Sequence, residues 1–218
     1  MSTKQSRRQF LTASSCLAAG LMITPGLAHS NSTITSNPED LYLIGPKDGF
    51  TPHIGTMLSM MTMMRAWVIR QVQDLSVEQL DFQIDDKSNS IGAMCMHLAA
   101  TEKYYQLNTF DNMPWGSWDQ SIKDEWDVAM GLGEAAREKI KGNEASYYVG
   151  KMEAVRKDTI EKFKQLDDDW LMKSEPFFSL SRGVQGETNN YAKWFHVCEH
   201  ESNHNGQIKF IKSRFPES

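Results

Sequence analysis

The chain is poor in several features, and each shortage excludes something. Three cysteines in 218 residues, Cys16, Cys95 and Cys198, are too few for a disulfide framework. There is no excess of positive charge: the formal net charge is −5, which argues against nucleic acid or an anionic membrane surface as a partner. No apolar run approaches the ~20 residues needed to span a bilayer, so no stable membrane insertion is expected. Strand-like alternation, internal repeats and low-complexity blocks are also missing, which leaves helices as the main expectation. What remains is ordinary globular material, 40% hydrophobic and 23% charged, enough for one domain and a tail. Methionine is the exception. There are thirteen, with a concentration between Met57 and Met96 that suits an adaptable core or pocket wall.

The N-terminus has the order of an export signal. In "SRRQFLT", Arg7 and Arg8 precede Gln9, Phe10 and Leu11; a modestly apolar run from Cys16 to Ile23 follows, then small residues around Ala28. That order predicts a twin-arginine signal over residues 1–30 and a periplasmic or cell-envelope location. Cleavage would remove Lys4, Arg7 and Arg8 and no acid, leaving a more acidic chain. Of the cysteines, Cys95 and Cys198 remain, and their separation in sequence does not decide whether they pair. Residues 31–47, polar and carrying Pro38 and Pro46, read as a linker, with one domain over 48–218.

Within the domain, Thr51-Pro52 predicts a helix start. Met57, Met61, Met64, Val68, Val72 and Leu75 then fall at helical spacing. Ser76 to Gln79 is a capping-box pattern. A second long helix is expected from Ser90, with Ile91, Met94, Leu98, Thr101 and Tyr105 inward and His97 at the margin. Residues 109–120 read as a loop with two tryptophans, and 122–140 is broken by Gly131 and Gly133. A third long helix is expected from about Ser146 to Leu166. "EPFFSLSRGVQGETNN" is too rich in Gly and Ser to be helical and reads as an extended crossover. It leads to a fourth long helix from about Asn189 to Arg214. Four amphipathic segments predict an all-α, up-and-down four-helix bundle.

The last helix carries "WFHVCEHESNHNGQIKF". At ~100° per residue, Val197, Ile208, Ile211 and Phe215 mark its core side. His204 falls among them, His200 one turn back is still inward, and His196 sits nearer the rim. Buried imidazoles need partners. A pair spaced i, i+4 on an inner face is either a hydrogen-bonded core feature or half of a metal site. His97, on the inner margin of the second helix, could complete a three-imidazole set with open coordination positions.

"KSNSIGAMCMHLAATEKYY" and "WFHVCEHESNHNGQI", together with "HIGTMLSMMTMMRAWVIRQVQDLSVEQLD" on the first helix, resemble the signatures of the DinB-like superfamily. The resemblance implies a four-helix bundle holding a divalent metal on one histidine of the second helix and an H-x3-H pair on the last. Carried over, the ligands are His97, His200 and His204. Asn205 stands where the family often has a basic residue, which leaves the ligands intact and bears on the entrance. Such bundles often pair, so a homodimer is one expectation.

His200-Glu201-Ser202-Asn203-His204 also spells the H-E-x-x-H of zinc proteases. No third ligand follows, since the sole acid after His204 is Glu217. Glu201 then has two readings, a partner that orients a ligand imidazole or a general base for catalysis. Glu102 is open between a similar partner and a surface charge. His53 reads as an end-of-helix residue or a cap over the pocket. The tryptophans read as core or loop anchors, with one or two candidates for a pocket wall. Asp167 to Leu171 reads as a helix end and turn, and Cys95 as packing.

The functional expectation is a divalent-metal protein, Zn(II) or Ni(II) given imidazole ligands without thiolate. It would be either an enzyme for hydrolysis or group transfer on a small-molecule substrate or a non-catalytic metal- or ligand-binding protein of the envelope. A metal-free bundle with a hydrogen-bonded histidine cluster is the third alternative.

Overall fold

The structure, a computed structural model, describes residues 40–179 and 184–216. The expected export signal and the linker up to residue 39 lie outside the described residues. The order is α1 (Pro52–Val72), α2 (Val77–Asp81), α3 (Ile91–Thr109), α4 (Gln120–Gly131), α5 (Gly133–Lys139), α6 (Ala145–Phe163), α7 (Asp168–Met172), β1 (Ser174–Ser179), β2 (Val184–Asn189) and α8 (Asn190–Lys212). The domain is mostly helical, as expected. None of the described helices is long and apolar enough to cross a membrane.

Local chemistry explains most helix starts. Ser90 accepts from the Ala93 amide at 3.2 Å and caps α3. Ser76 and Gln79 close the expected capping box on α2. α1 differs. Thr51 makes no cap bond to its own helix; its hydroxyl donates to Asp168 at 2.5 Å, and that carboxylate accepts from the amides of His53 and Ile54, each at 3.1 Å. Asp167 meanwhile caps α7 through the Trp170 amide at 2.8 Å. Two adjacent acids thus serve two helix N-termini, where negative charge is favoured.

The four long helices are α1, α3, α6 and α8. α1 packs mainly on α8 and α6, and α3 mainly on α6 and α8. An up-and-down bundle would instead set α1 beside α3 and α6 beside α8. The two connections involved carry structure of their own, α2 in one case and α7 with β1 and β2 in the other. α3 and α6 approach closely at Gly92, where a Cβ would stand 2.6 Å from the Tyr148 ring.

Two further expectations change. β1 and β2 pair antiparallel, Ser174 with Asn189 and Ser179 with Val184, rather than forming a plain crossover. Their Gly, Ser and Pro content disfavours helix, and cross-strand pairing satisfies the backbone instead. The described end of the linker is docked along α1: Gly45 donates to Ser59 at 3.1 Å, Arg70 to the Tyr42 hydroxyl at 3.3 Å, and the Lys47 backbone fills the space beside Gly55. Cys95 and Cys198 are both buried and free, so they do not pair.

The core is in two parts. One contains Val68, Val72, Ile91, Leu98, Tyr148, Val155, Ile208 and Ile211. The other contains Ile54, Met57, Met61, Ile160, Phe163, Trp194 and Val197. On α1, α6 and α8 the chain passes from one part to the other at Arg65, Arg156 and Glu201. The methionine stripe of α1 is core packing.

Candidate metal centre

Two polar clusters interrupt these apolar layers. The first is the histidine cluster. His97 and His204 are buried and His200 is half-buried, and one ligand-capable nitrogen from each lies within 4.8 Å of the other two. The Nε2 atoms of His97 and His200 face each other at 2.9 Å. His97 Nδ1 lies 3.1 Å from the Ala129 carbonyl, which fixes the ring with Nδ1–H donating and leaves Nε2 to the cluster. α4 therefore contributes to the site through its backbone alone. His204 keeps Nδ1 buried with no hydrogen-bond partner among the described residues.

Burial depresses all three imidazoles. For His97 it outweighs the bonds to the Ala129 and Met130 carbonyls. Burial, then the neighbouring His97 and His196, bring His200 down to about 4. Burial, then His200 and His97, do the same to His204, also about 4. At neutral pH the cluster is three uncharged rings, the state in which imidazole ligates a cation.

The second cluster joins the four long helices. Arg65 of α1 donates to Glu201 through Nε at 2.9 Å and Nη2 at 2.5 Å, and from Nη2 to Glu102 at 2.8 Å. Arg156 of α6 donates to Glu102 through Nε at 2.8 Å and Nη2 at 3.1 Å, and to Glu201 at 2.8 Å. Each arginine also reaches across to the other's helix, Arg65 to the Met152 carbonyl at 2.5 Å and Arg156 to that of Met61 at 2.9 Å. Thr159 donates to Glu102 at 2.6 Å. Burial alone would raise the Glu102 carboxyl, but Arg156 and Arg65 outweigh it and hold it below its ordinary value. Burial likewise works against the Arg156 charge, and Glu102 with Glu201 shifts it upward on balance.

The expected base, Glu201, belongs to this second cluster. Its Oε1 accepts from both arginines, and it makes no hydrogen bond to an imidazole among the described residues. Oε1 thus serves the charge cluster, while Oε2 is buried with no hydrogen-bond partner among the described residues. Glu102 is fully buried, which removes its surface reading. Arg65 and Arg156 escaped notice in the sequence, although a signal existed: each lies on the apolar stripe of its helix, one turn after Met61 and Met152.

The remaining candidates fall at the edge. His196 is exposed, as its wheel position predicted, and its Nδ1 lies 2.7 Å from Glu199. Tyr105 packs on His196, with ring centroids 5.8 Å apart, and exposed Trp115 packs on Tyr105 at 5.0 Å. His53 is exposed at the start of α1, with Tyr191 as its aromatic neighbour. Burial pushes the Cys95 thiol up to about 12, which suits packing rather than nucleophilic chemistry. A charged cleft of about 450 Å³ beside Asp81, Asp86, Glu134 and Arg137 does not include the histidines.

A mostly helical domain with three convergent, neutral imidazoles defines a class: a helical protein with a histidine cluster that could hold a metal. A model of the DinB family matches residues 52–211, and the chain belongs to that family, which is metal-binding. No curated protein matches the chain.

Proposed function

We propose that His97, His200 and His204 hold one divalent metal ion, Zn(II) or Ni(II), in a DinB-like four-helix bundle, and that the protein carries out hydrolysis or group transfer on a small molecule there. The observation that carries this reading is the convergence of three neutral imidazoles. Nδ1 of His204 is buried with no partner among the described residues, and two other ring nitrogens face each other nose to nose. An all-nitrogen set without thiolate suits Zn(II) or Ni(II). When bound, such an ion supplies Lewis acidity for attack by water or another small nucleophile. The chain's own contribution is positional. Ala129 orients His97, the charge cluster ties α3 to α8, and half-buried His200 leaves one side accessible. Tyr105 and Trp115 offer flat faces beside that side, where a substrate could lie. The same proposal places the protein outside the cytoplasm, on the strength of Arg7-Arg8 and the apolar run after them. A homodimer remains part of it only through the family's habit of pairing.

The test is metal analysis of protein purified after export from the producing cell, beside the His204→Ala variant. About one equivalent in the wild type and a large loss in the variant are expected. A metal-free wild type, or equal metal in both, refutes the site. The engagement of Glu201 Oε1 by two arginines favours a second reading, a non-catalytic metal-binding protein of the envelope. Turnover by metal-loaded but not metal-stripped protein, in a screen of hydrolase and transferase substrates, selects the first reading over the second.

A further inference from the structure

The histidines of α8 do not stop at the buried site. His196, Glu199 and His200 form a second group in which one ligand atom from each lies within 4.8 Å of the others. It is built differently from the inner one. His196 is exposed, Glu199 and His200 are half-buried, and the set includes a carboxylate. His196 Nδ1 lies 2.7 Å from Glu199 Oε1; with Nδ1–H donating to that carboxylate, Nε2 keeps a free lone pair. The ring is not loose on the surface, because Tyr105 packs against it. His200 belongs to both groups. Ring centroids step from His196 to His200 at 5.3 Å, then to His204 at 4.6 Å and to His97 at 5.0 Å. Imidazoles thus run without a gap from solvent to the buried site.

We propose that His196, Glu199 and His200 form an outer cation site through which the buried site is loaded. The inference rests on the inner set being a metal site. The physical case is that a hydrated divalent ion gives up its water reluctantly, and His97 and His204 are buried. The half-buried Glu199 carboxylate attracts the ion, and two imidazoles one helical turn apart replace its first waters. His200, common to both sets, can stay bound while His196 and Glu199 are exchanged for His97 and His204. No step then requires a bare ion to cross the apolar interior. The recognised ligand is a divalent cation with affinity for imidazole, of the same class as the inner site takes.

The experiment uses metal-stripped protein and Co(II), whose visible absorption reports coordination, in stopped flow and in equilibrium titration. The His196→Ala/Glu199→Gln variant changes only side chains at the surface. It is expected to reach the same final spectrum and the same affinity as the wild type, but to load about tenfold more slowly. In a His204→Ala background, weak Co(II) binding is expected to persist and to vanish when His196→Ala is added. Equal loading rates in the wild type and the double variant overturn the proposal. So does a variant that loses equilibrium affinity along with rate, since the two residues would then belong to the inner site. A wild type that binds no Co(II) at all overturns the inner site itself, an outcome distinct from both.

Discussion

The two polar clusters of this domain meet on α8 at consecutive residues, His200 and Glu201, and they handle burial in opposite ways. In the charge cluster, two arginines and two glutamates cancel, and each guanidinium also finds a backbone carbonyl on a neighbouring helix, although Glu201 Oε2 has no hydrogen-bond partner among the described residues. In the histidine cluster there is no charge to cancel, yet one nitrogen is orphaned and two others compete across 2.9 Å. Opposite charges account for the first cluster within the fold. In the second, three neutral imidazoles converge with no charge to pair them, the arrangement a cation would use.

The sharpest way to break this comparison is to spoil the charge cluster. Glu201→Gln leaves two buried arginines facing one carboxylate. It is expected to cost about 3–5 kcal/mol in urea unfolding; a variant with full stability and lost activity would identify Glu201 as a base instead. The histidine cluster should behave in the opposite sense. Adding Zn(II) at a hundred times its dissociation constant is expected to stabilise the wild type by about 2.7 kcal/mol and to leave His204→Ala unmoved, as read by the same unfolding curves.

Acid should separate the clusters along the pH axis. His200 and His204 sit near 4 when folded and near 6.5 when unfolded. Between those values the unfolded chain binds protons that the folded one refuses, so metal-free stability falls as pH drops from 6.5 towards 4. Glu102 works lower down. Its folded value lies below its unfolded 4.5, so its contribution is present above 4.5 and is lost as pH falls through the folded value. Unfolding midpoints measured across this range should show the upper window disappear in a His200→Ala/His204→Ala variant while the lower one stays. The smallest effect should come from a residue outside both clusters. Asp168→Ala removes the borrowed cap of α1 and is expected to cost about 1 kcal/mol with metal affinity unchanged in equilibrium titration.

Much of this was legible in the chain. The starts of α2 and α3 were readable because their caps are local, a side chain bonding to an amide three residues on. The inward turn of His200 and His204 followed from helical spacing, as did the outward turn of His196. The α1 cap was not readable, because Asp168 reaches it from the start of α7, more than a hundred residues away in sequence. Nor was the support of His97 by α4, since a backbone carbonyl carries no residue signature. Arg65, Glu102 and Arg156 could have been flagged as charges on apolar stripes, but a stripe does not say which opposite charge it will meet.

Glu201 marks the boundary most clearly. Periodicity alone determined that it points inward and that the domain is mostly helical, because both follow from the spacing of residues near one another in the chain. Which inner cluster it joins was decided only when α1, α6 and α3 came together around α8. Two guanidiniums from distant segments then outbid the neighbouring imidazoles for its oxygen, a contest of long-range contacts that no local pattern records.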